Sequence, residues 1–329
     1  MILRAPGWGL FLLLTAVGVL AEPSPVSVLS FNLNNYAPDT PTQRKSPDSY
    51  AAVASIIGKA SADIVVVQEI RGQEAAEHLR AAVAENGAEY PFLTVVEASD
   101  MFRKLAVFSR IKPSKIAHNT TASYTIKDEI VPVRRGFAYC QFQLGDYSFH
   151  LIAAHLKSPV YHRLGQTDMR RYEARQLRYF IDEILKENLE ANILVVGDLN
   201  DNIDSSPLKT ILYRRYKFNK RLYDIRPVDT QNTSWTYYYG TTDNYGRVDF
   251  ALASFGMLPE FIMDRCELRS DSIWNLASDH RAVVVTFMPV EQVNERILEA
   301  FHKEVRITDH QRARPADGRV IGSRKVQRE

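Results

Sequence analysis

The 329-residue chain has few cysteines, few glycines and no excess of either charge, with 41 basic and 39 acidic side chains. Two cysteines are too few for a disulfide scaffold, and 15 glycines are too few for a collagen. The small net charge and the 45% hydrophobic content exclude a long disordered chain. Because there is no general polycationic attraction to nucleic acid, an anionic substrate has to be bound by a local basic patch.

Three motifs of common hydrolases are also missing. The sequence contains no CxxC pair and no HExxH segment, so it lacks the usual ligand spacing of zinc sites. It contains no GxSxG segment, the nucleophile turn of serine hydrolases of the α/β type. These absences disfavour zinc-dependent and serine-dependent hydrolysis.

The N-terminus has the features of a secretory signal. Arg4 is the only charged residue before Ala21, and the apolar run Gly9–Ala21 is 13 residues long. A helix that spans a bilayer needs about 20 apolar residues. We therefore expect a signal peptide over residues 1–21 and a mature protein that begins near Glu22 and is secreted or periplasmic. The alternative is a retained N-terminal anchor.

Export permits a disulfide between Cys140 and Cys266, but their separation in sequence does not show whether they pair. Cys140 alternates in phase with Phe142 and Leu144, which equally suits a buried thiol in a strand. The buried thiol is the favoured interpretation.

Short apolar segments alternate with amphipathic ones along the chain. The clearest helix is predicted over Met169–Glu187, where apolar residues from Leu177 to Leu185 recur at helical spacing. The alternation predicts an α/β fold with sheets inside and helices outside. We expect one domain over residues 22–290, followed at 291–329 by a C-terminal helix and a basic tail without packed structure. Residues 304–329 carry seven Arg or Lys and four Asp or Glu.

Polar and ionisable residues stand where the predicted strands begin or end. Such groups are costly in a core but typical of the open edge of a sheet, where ligands bind. Any one of them alone has an ordinary explanation as a turn, cap or surface residue. The candidate residues are Asn32, Glu69, His155, Asp198, Asn200, Asp249, Asp279 and His280.

The order and local sequence of these segments are more specific than any single residue. Gln68-Glu69, the segment GDLND at 197–201 and Ser278-Asp279-His280 together resemble the endonuclease/exonuclease/phosphatase superfamily, the metal-dependent phosphoesterases related to deoxyribonuclease I. The resemblance extends over six motifs, from Asn32 to His280. It implies a four-layer α/β sandwich in which two packed mixed β-sheets are flanked by helices.

The resemblance also implies a divalent metal ion. Glu69 matches the glutamate that binds the metal, with Asn32 and Asp279 nearby. Mg²⁺ prefers carboxylate and amide oxygens, and a cation of this kind neutralises the charge of an anionic phosphodiester. We therefore expect Mg²⁺ or Mn²⁺ as the cofactor.

The catalytic roles follow from the same resemblance. Asp198 and Asn200 match the pair that positions or deprotonates the attacking water, and Asp249 matches the carboxylate that orients His280. His155 matches a histidine that assists the leaving group in members related to deoxyribonuclease I. The acid that steadies this histidine in those members is missing, because Phe102-Arg103-Lys104 occupies that point. A metal-bound water is therefore an alternative general acid.

Several segments bear on the substrate. Val196 stands where inositol-polyphosphate phosphatases typically have tryptophan, and Leu156-Lys157 replaces the Thr-Gln pair of bacterial sphingomyelinases. The segment 155–158 resembles secreted bacterial nucleases, and Glu69-Ile70-Arg71 is similar to the deoxyribonuclease segment whose arginine enters the minor groove. We predict that Arg71 and Lys157 bind substrate. The aromatic segment Trp235–Tyr239 offers stacking surfaces for bases, although such residues more commonly pack across strands.

The sequence thus predicts a secreted, divalent-metal-dependent phosphodiesterase, an endonuclease that acts on DNA or RNA. We expect a monomer without stable membrane insertion. The alternatives are a secreted phosphatase or lipid phosphodiesterase of the same superfamily, and a binding protein that has lost catalysis. The intact set of candidate residues argues against the last of these.

Overall fold

The computed structural model describes residues 23–40, 45–213 and 218–292. These residues form two six-stranded β-sheets that pack face to face, with helices on the two outer faces. The predicted four-layer α/β sandwich is confirmed. The predicted signal peptide, and the predicted C-terminal helix and tail beyond residue 292, lie outside the described residues.

Each sheet mixes parallel and antiparallel neighbours. The first sheet consists, in spatial order, of β15 (Glu267–Leu268), β16 (Val283–Phe287), β1 (Val26–Tyr36), β2 (Ile64–Ile70), β4 (Lys104–Ser109) and β3 (Phe92–Val95). The second consists of β11 (Leu222–Asp224), β14 (Asp249–Ser254), β10 (Ile193–Asp198), β9 (Tyr147–His155), β8 (Phe137–Leu144) and β5 (Lys115–Ile116).

Helices and two small hairpins complete the described fold. Helices α1 and α2 cover the first sheet, and α3 and α4 cover the second. The helices are α1 (Pro47–Ala60), α2 (Gln73–Glu85), α3 (Gln166–Glu187), α4 (Ser206–Leu212) and α5 (Trp274–Ala277), with short 3₁₀ turns at Phe218–Lys220, Leu258–Glu260 and Met263–Arg265. The hairpins are β6 (Ser123–Ile126) with β7 (Glu129–Pro132), and β12 (Tyr237–Tyr239) with β13 (Asn244–Gly246).

Alternation of side chains along the strands produces three separate apolar layers. In β1, Val28 faces the second sheet, whereas Leu29 and Phe31 face helices α1 and α2. In β10, Leu194 faces the first sheet and Ile193 faces helices α3 and α4. Because the central strands are apolar on both faces, they read as continuous hydrophobic runs in the sequence.

Helix α3 begins at Gln166, three residues before the predicted start. The prediction missed these residues because they are polar and show no apolar periodicity. The aromatic segment Trp235–Tyr239 is a strand only over its last three residues. Trp235 and Thr236 lie outside β12, and the Thr236 hydroxyl accepts hydrogen bonds from the backbone N–H groups of Val248 and Asp249, both at 3.0 Å. The Thr236 side chain, and not a strand partner, therefore satisfies the N–H groups of Val248 and Asp249.

Cys140 and Cys266 are both buried in the layer between the sheets, and both are free thiols. The interpretation of Cys140 as a buried thiol in a strand is confirmed. Within the described ranges, no helix combines the length and apolar character needed for crossing a bilayer.

Gly197 allows the central strand β10 of the second sheet to lie unusually close to its neighbour β9. Its φ of +134° disfavours any other residue, and a Cβ built there would lie 2.0 Å from the Ala154 carbonyl oxygen on the neighbouring strand β9. Only a residue without a side chain lets β10 approach β9 this closely. The next residue, Asp198, is thereby placed directly opposite His155.

Gly197→Ala is expected to lower the free energy of unfolding by roughly 3 kcal/mol or more, because backbone strain and a steric clash act together. The matched control is Gly145→Ala. Gly145 has a φ of +62° but no heavy atom within 4 Å of the added Cβ, so only the strain of about 1–2 kcal/mol remains. Urea unfolding measures both. Equal losses in the two variants would show that the close approach at Gly197 is not limiting.

Candidate active site

The candidate residues of the second sheet lie side by side because of strand register. Asp198 is the last residue of β10 and pairs with His155 on the parallel strand β9. On its other side, Asp198 pairs with Asp249, the first residue of the antiparallel strand β14. Three residues that are far apart in sequence therefore occupy one edge of the sheet, as the strand-end pattern predicts.

The first sheet contributes Asn32 and Glu69 at the facing edge. The pairing of β2 shifts between Gln68 and Ile70, and Glu69 between them has a φ of +61°. A bulge of this kind re-aims a side chain and is common beside functional sites. The Glu69 carboxylate accepts a hydrogen bond from the Asn35 N–H at 3.0 Å and lies 3.4 Å from the Arg103 guanidinium.

Ser278 fixes the segment that carries Asp279 and His280. Its hydroxyl donates to the Asn32 carbonyl oxygen at 2.7 Å and accepts from the His280 N–H at 3.1 Å. The last two candidate residues are thereby tied to β1 at Asn32. All eight candidate residues except Asp249 line one cavity of about 890 Å³, and Asp249 lies behind it in contact with His280.

Asp198 is the centre of the site. Its buried carboxylate accepts hydrogen bonds from the side-chain amides of Asn32, at 3.0 Å, and Asn200, at 3.1 Å. Burial, and after it the charge of Asp249, raises the pKa of Asp198 to about 7, against the lowering effect of His280. An acid with this pKa is suited to accept a proton from water near neutral pH.

His280 is held by Asp249. Its Nδ1 lies 2.8 Å from the Asp249 carboxylate. Burial lowers the pKa of His280, but the charge and hydrogen bond of Asp249, with Asp198 and Asp279, raise it to about 10. These neighbours favour the imidazolium form of the ring, whose Nε2 lies 3.9 Å from Asp198. A fixed cation of this kind stabilises negative charge on a phosphoryl oxygen.

His155 has the opposite character. Its Nε2 lies 3.4 Å from the Asp198 carboxylate and 3.8 Å from that of Glu69. Among the described residues its buried Nδ1 has no hydrogen-bond partner, as expected from the missing acid near Arg103. Burial, followed by the charges of Arg135, His280 and Arg103, lowers its pKa well below the usual value. His155 is thus a neutral ring next to two carboxylates.

One wall of the cavity is basic. It is formed by Arg103, Arg134, Arg135 and Lys157, and we call these four residues the basic wall. The backbone N–H of Lys157 donates to the buried Glu173 carboxylate at 2.6 Å, and its ammonium donates to the Ser158 carbonyl oxygen at 3.0 Å. The protein therefore holds this lysine in a defined position at the cavity.

Arg134 and Arg135 were missed by sequence reasoning. They precede strand β8 at the same edge as the other strand ends, which is the signal that would have found them. Arg135 donates to the Leu156 carbonyl oxygen at 2.8 Å, so it also supports the segment after His155. Arg71, in contrast, is not among the residues that line the cavity. Its Nε lies 3.5 Å from Asp39, and its guanidinium covers the ring of Phe102.

The oxygen-rich centre fits a hard divalent cation. The cavity is lined by the carboxylates and amides of Asn32, Glu69, Asp198 and Asp279, and by no thiol. Within the described residues, Asp198, Asp249 and His280 also place possible ligand atoms within 4.8 Å of one another. Carboxylates in such a buried group repel each other, so a cation would relieve them. The predicted ligands Asn32, Glu69 and Asp279 remain a prediction.

Comparison with solved structures supports the fold. The chain is similar to an endonuclease/exonuclease/phosphatase from Bacteroides vulgatus, with 17% identity, a TM-score of 0.57, and coverage of 81% of this chain and 100% of that one. It is similar to beta toxin from Staphylococcus aureus, with 16% identity, a TM-score of 0.56, and 79% and 99% coverage. It is also similar to truncated TDP2 from Caenorhabditis elegans, with 18% identity, a TM-score of 0.53, and 80% and 97% coverage.

No curated protein sequence matches this chain. The family comparison is decisive instead, because residues 29–280 match the Endonuclease/Exonuclease/phosphatase family. The matched range contains every candidate residue of the cavity and ends at His280. Members of this family are hydrolases of phosphoester bonds, and they generally use divalent metals. The chain belongs to the Endonuclease/Exonuclease/phosphatase family.

Proposed function

We propose that the protein is an exported, divalent-metal-dependent phosphodiesterase that cleaves DNA or RNA as an endonuclease. The observation that supports the choice of nucleic acid is the basic wall, which lies in the same cavity as the acidic centre. A polymeric phosphodiester carries further negative charges beside the bond that is cleaved, and arginine and lysine are the residues that bind them. Part of this positive charge is balanced, because Arg103 lies 3.4 Å from Glu69 and Arg135 lies 3.6 Å from Asp100, whereas Lys157 has no acidic side chain within ion-pair distance among the described residues.

In the proposed reaction, Asp198 accepts a proton from the attacking water, and Asn200 holds the Asp198 carboxylate in position through two hydrogen bonds. The His280 imidazolium, oriented by Asp249, contacts a phosphoryl oxygen as negative charge develops. A cation held by Glu69, with Asn32 and Asp279 nearby, would neutralise the phosphate charge and lower the pKa of bound water. His155, as a neutral ring, donates only a hydrogen bond from Nε2 to the leaving-group oxygen, and the proton that this oxygen takes up comes from water.

A lipid phosphodiesterase is the second candidate, and one specific feature favours it. Apolar side chains are exposed at the rim of the cavity, where Val160 and Tyr161 are 69% and 82% exposed and Phe102 is 47% exposed. Exposed apolar groups around a catalytic cavity are suited to contact with a lipid surface. Arg135 of the basic wall has a side chain that is only 10% exposed, so it lies deeper in the cavity than Val160 and Tyr161. We therefore give the nuclease more weight than the lipid enzyme.

The metal proposal is tested by Glu69→Gln, which removes one negative charge and keeps the side-chain shape. We expect turnover of bis(4-nitrophenyl) phosphate to fall by two orders of magnitude or more, and the requirement for Mg²⁺ or Mn²⁺ to rise. EDTA should abolish the activity of the unmodified protein. Glu89→Gln, at an exposed position outside the cavity, is the matched control. Wild-type turnover of Glu69→Gln at limiting Mg²⁺ would disprove the assignment of this carboxylate.

The nucleic-acid proposal is tested by comparing small and polymeric substrates. His280→Ala should impair hydrolysis of both, because it removes a contact to the reacting group. Lys157→Ala and Arg71→Ala should reduce cleavage of DNA or RNA more than that of the aryl diester. Each lost phosphate contact also lowers the slope of log affinity against log salt by about one. Lys157 should have the larger effect, because it lines the cavity and Arg71 does not.

Arg80, a partly exposed residue outside the cavity that pairs with Glu77 on α2, provides the matched control Arg80→Ala. A panel of plasmid DNA, RNA and sphingomyelin with Mg²⁺, Mn²⁺ or EDTA identifies the substrate class. Equal losses on small and polymeric substrates, with an unchanged salt slope, would reject the nuclease and favour the lipid enzyme.

Export is supported by the sequence alone, through the 13-residue apolar run that ends at Ala21. We expect material recovered from outside the cytoplasm to begin near Glu22. Edman sequencing of that material provides the measurement, and a chain that still begins at Met1 would indicate a retained segment.

A further inference from the structure

A second, smaller pocket lies beside the catalytic cavity. It has a volume of about 310 Å³ and shares Asn34 and Asp279 with the larger cavity. Its other walls include Lys45, Tyr238 and Trp274 of helix α5. The reaction described above makes no use of this pocket. Because the two spaces share walls, a group bound in the second pocket lies next to the group that is hydrolysed.

The hairpin β12–β13 separates the two pockets. Its side chains alternate, so Tyr237 and Tyr239 stack with ring centroids 6.4 Å apart and line the catalytic cavity, whereas Tyr238 lines the second pocket. The Tyr238 N–H donates to the Asp279 carbonyl oxygen at 2.9 Å. The hairpin is therefore attached to the catalytic segment and presents aromatic rings to both sides.

Tyr238 and Trp274 belong to a group of four aromatic residues, with Trp235 and Tyr245, that we call the aromatic platform. Trp235 contacts Trp274 and Tyr245 with ring centroids 5.2 Å and 4.9 Å apart, and Tyr238 lies 4.7 Å from Tyr245. The rings brace one another, so little side-chain entropy is left to lose on binding. Aromatic surfaces of this kind bind nucleobases by stacking, with little dependence on sequence.

Lys45 adds a positive charge to the same pocket. Its side chain is half-buried, and among the described residues its ammonium has no hydrogen bond or ion pair. Burial lowers the pKa of Lys45, and this effect outweighs the carboxylates of Asp279 and Glu69, which raise it. An ammonium in this situation gains from the arrival of an anionic oxygen.

We propose that the second pocket is a subsite for the nucleotide next to the scissile phosphate. Its base stacks on the face of Trp274 and meets the ring of Tyr238 edge to face, since the planes of these two rings are 84° apart, and its outer phosphate binds Lys45. An aromatic platform alone would suit many flat groups, and a lysine alone would suit many anions, but a nucleotide carries both. This inference rests on the proposed nuclease function and adds to it the residues that hold the neighbouring nucleotide.

Stacking is tested with Trp274→Ala on a short oligonucleotide with one scissile linkage, compared with bis(4-nitrophenyl) phosphate. Loss of one stacking contact should raise KM for the oligonucleotide roughly tenfold or more beyond any change seen with the aryl diester. Trp274→Phe should restore most of the loss, because a ring remains. Tyr179→Ala, which removes an aromatic ring that is 56% exposed on α3, is the matched control.

The phosphate contact is tested with Lys45→Met on dinucleotides with and without an additional terminal phosphate, placed at either end. The unmodified protein should cleave one of the two phosphorylated dinucleotides roughly tenfold better than the dinucleotide without the additional phosphate. A factor of this size is what one charge-assisted hydrogen bond contributes. Lys45→Met should abolish that preference, and Lys112→Met, at an exposed lysine outside the pocket, should retain it. Because Lys45→Met leaves the platform intact, it tests the pocket even if Trp274→Ala unfolds.

Failure of the subsite and failure of the proposed function are distinguishable. If the protein cleaves the oligonucleotide but neither variant changes the preference for it over the aryl diester, the subsite is wrong and the nuclease stands. If the aryl diester is cleaved and no nucleic acid is cleaved or bound, both are wrong. If nothing is cleaved, binding of the oligonucleotide is measured by fluorescence anisotropy. Weaker binding in Trp274→Ala and Lys45→Met would support the subsite. Unchanged binding in both variants would overturn it.

Discussion

The carboxylate of Asp198 sets the main constraint on this molecule, because it is buried where the two sheets meet. A buried carboxylate without partners destabilises a fold strongly. Its partners come from both sheets, since Asn32 lies on β1 in the first sheet, whereas His155 ends β9 and Asn200 follows β10 in the second. The two sheets therefore have to be packed in one relative position for this charge to be satisfied. The apolar layer between them, which includes Val28 and Leu194, fixes that position.

The same carboxylate lies between two histidines with opposite properties. His280 is paired with Asp249, which raises the pKa of His280. Burial, and after it the charge of Arg135, lower the pKa of His155, whose Nδ1 has no hydrogen-bond partner among the described residues. Two identical side chains are thus given different chemical roles by their neighbours. The separation depends on the basic wall as well as on burial, because Arg135 and Arg103 both oppose protonation of His155. Residues of the basic wall therefore also influence the protonation of His155.

Much of this arrangement is predictable from sequence because it depends on periodic patterns and strand ends. The apolar stripe of α3 and the runs in β2 and β10 indicate their elements, and polar residues at strand ends converge because neighbouring strands share an edge. The second pocket is different. It joins Asn34, Lys45, Tyr238 and Trp274, which no periodicity relates, and α5 has only four residues. The position of Arg71 is also not predictable from the sequence. Its side chain lies 3.5 Å from Asp39 and does not line the cavity.

Chemistry and substrate choice are carried by different parts of the fold. His155, Asp198 and Asp249 sit at strand ends held by ladder hydrogen bonds, so their geometry changes little when a loop changes. The basic wall, the apolar rim and the hairpin β12–β13 lie on connections between strands, where substitution is tolerated. Tyr237 nevertheless contacts the ring of His280, with centroids 4.8 Å apart, and its neighbour Tyr238 faces the second pocket. In the proposed subsite, a base bound beside Tyr238 would contact the same hairpin whose next ring, Tyr237, packs against His280, so nucleotide binding would also affect the orientation of this histidine.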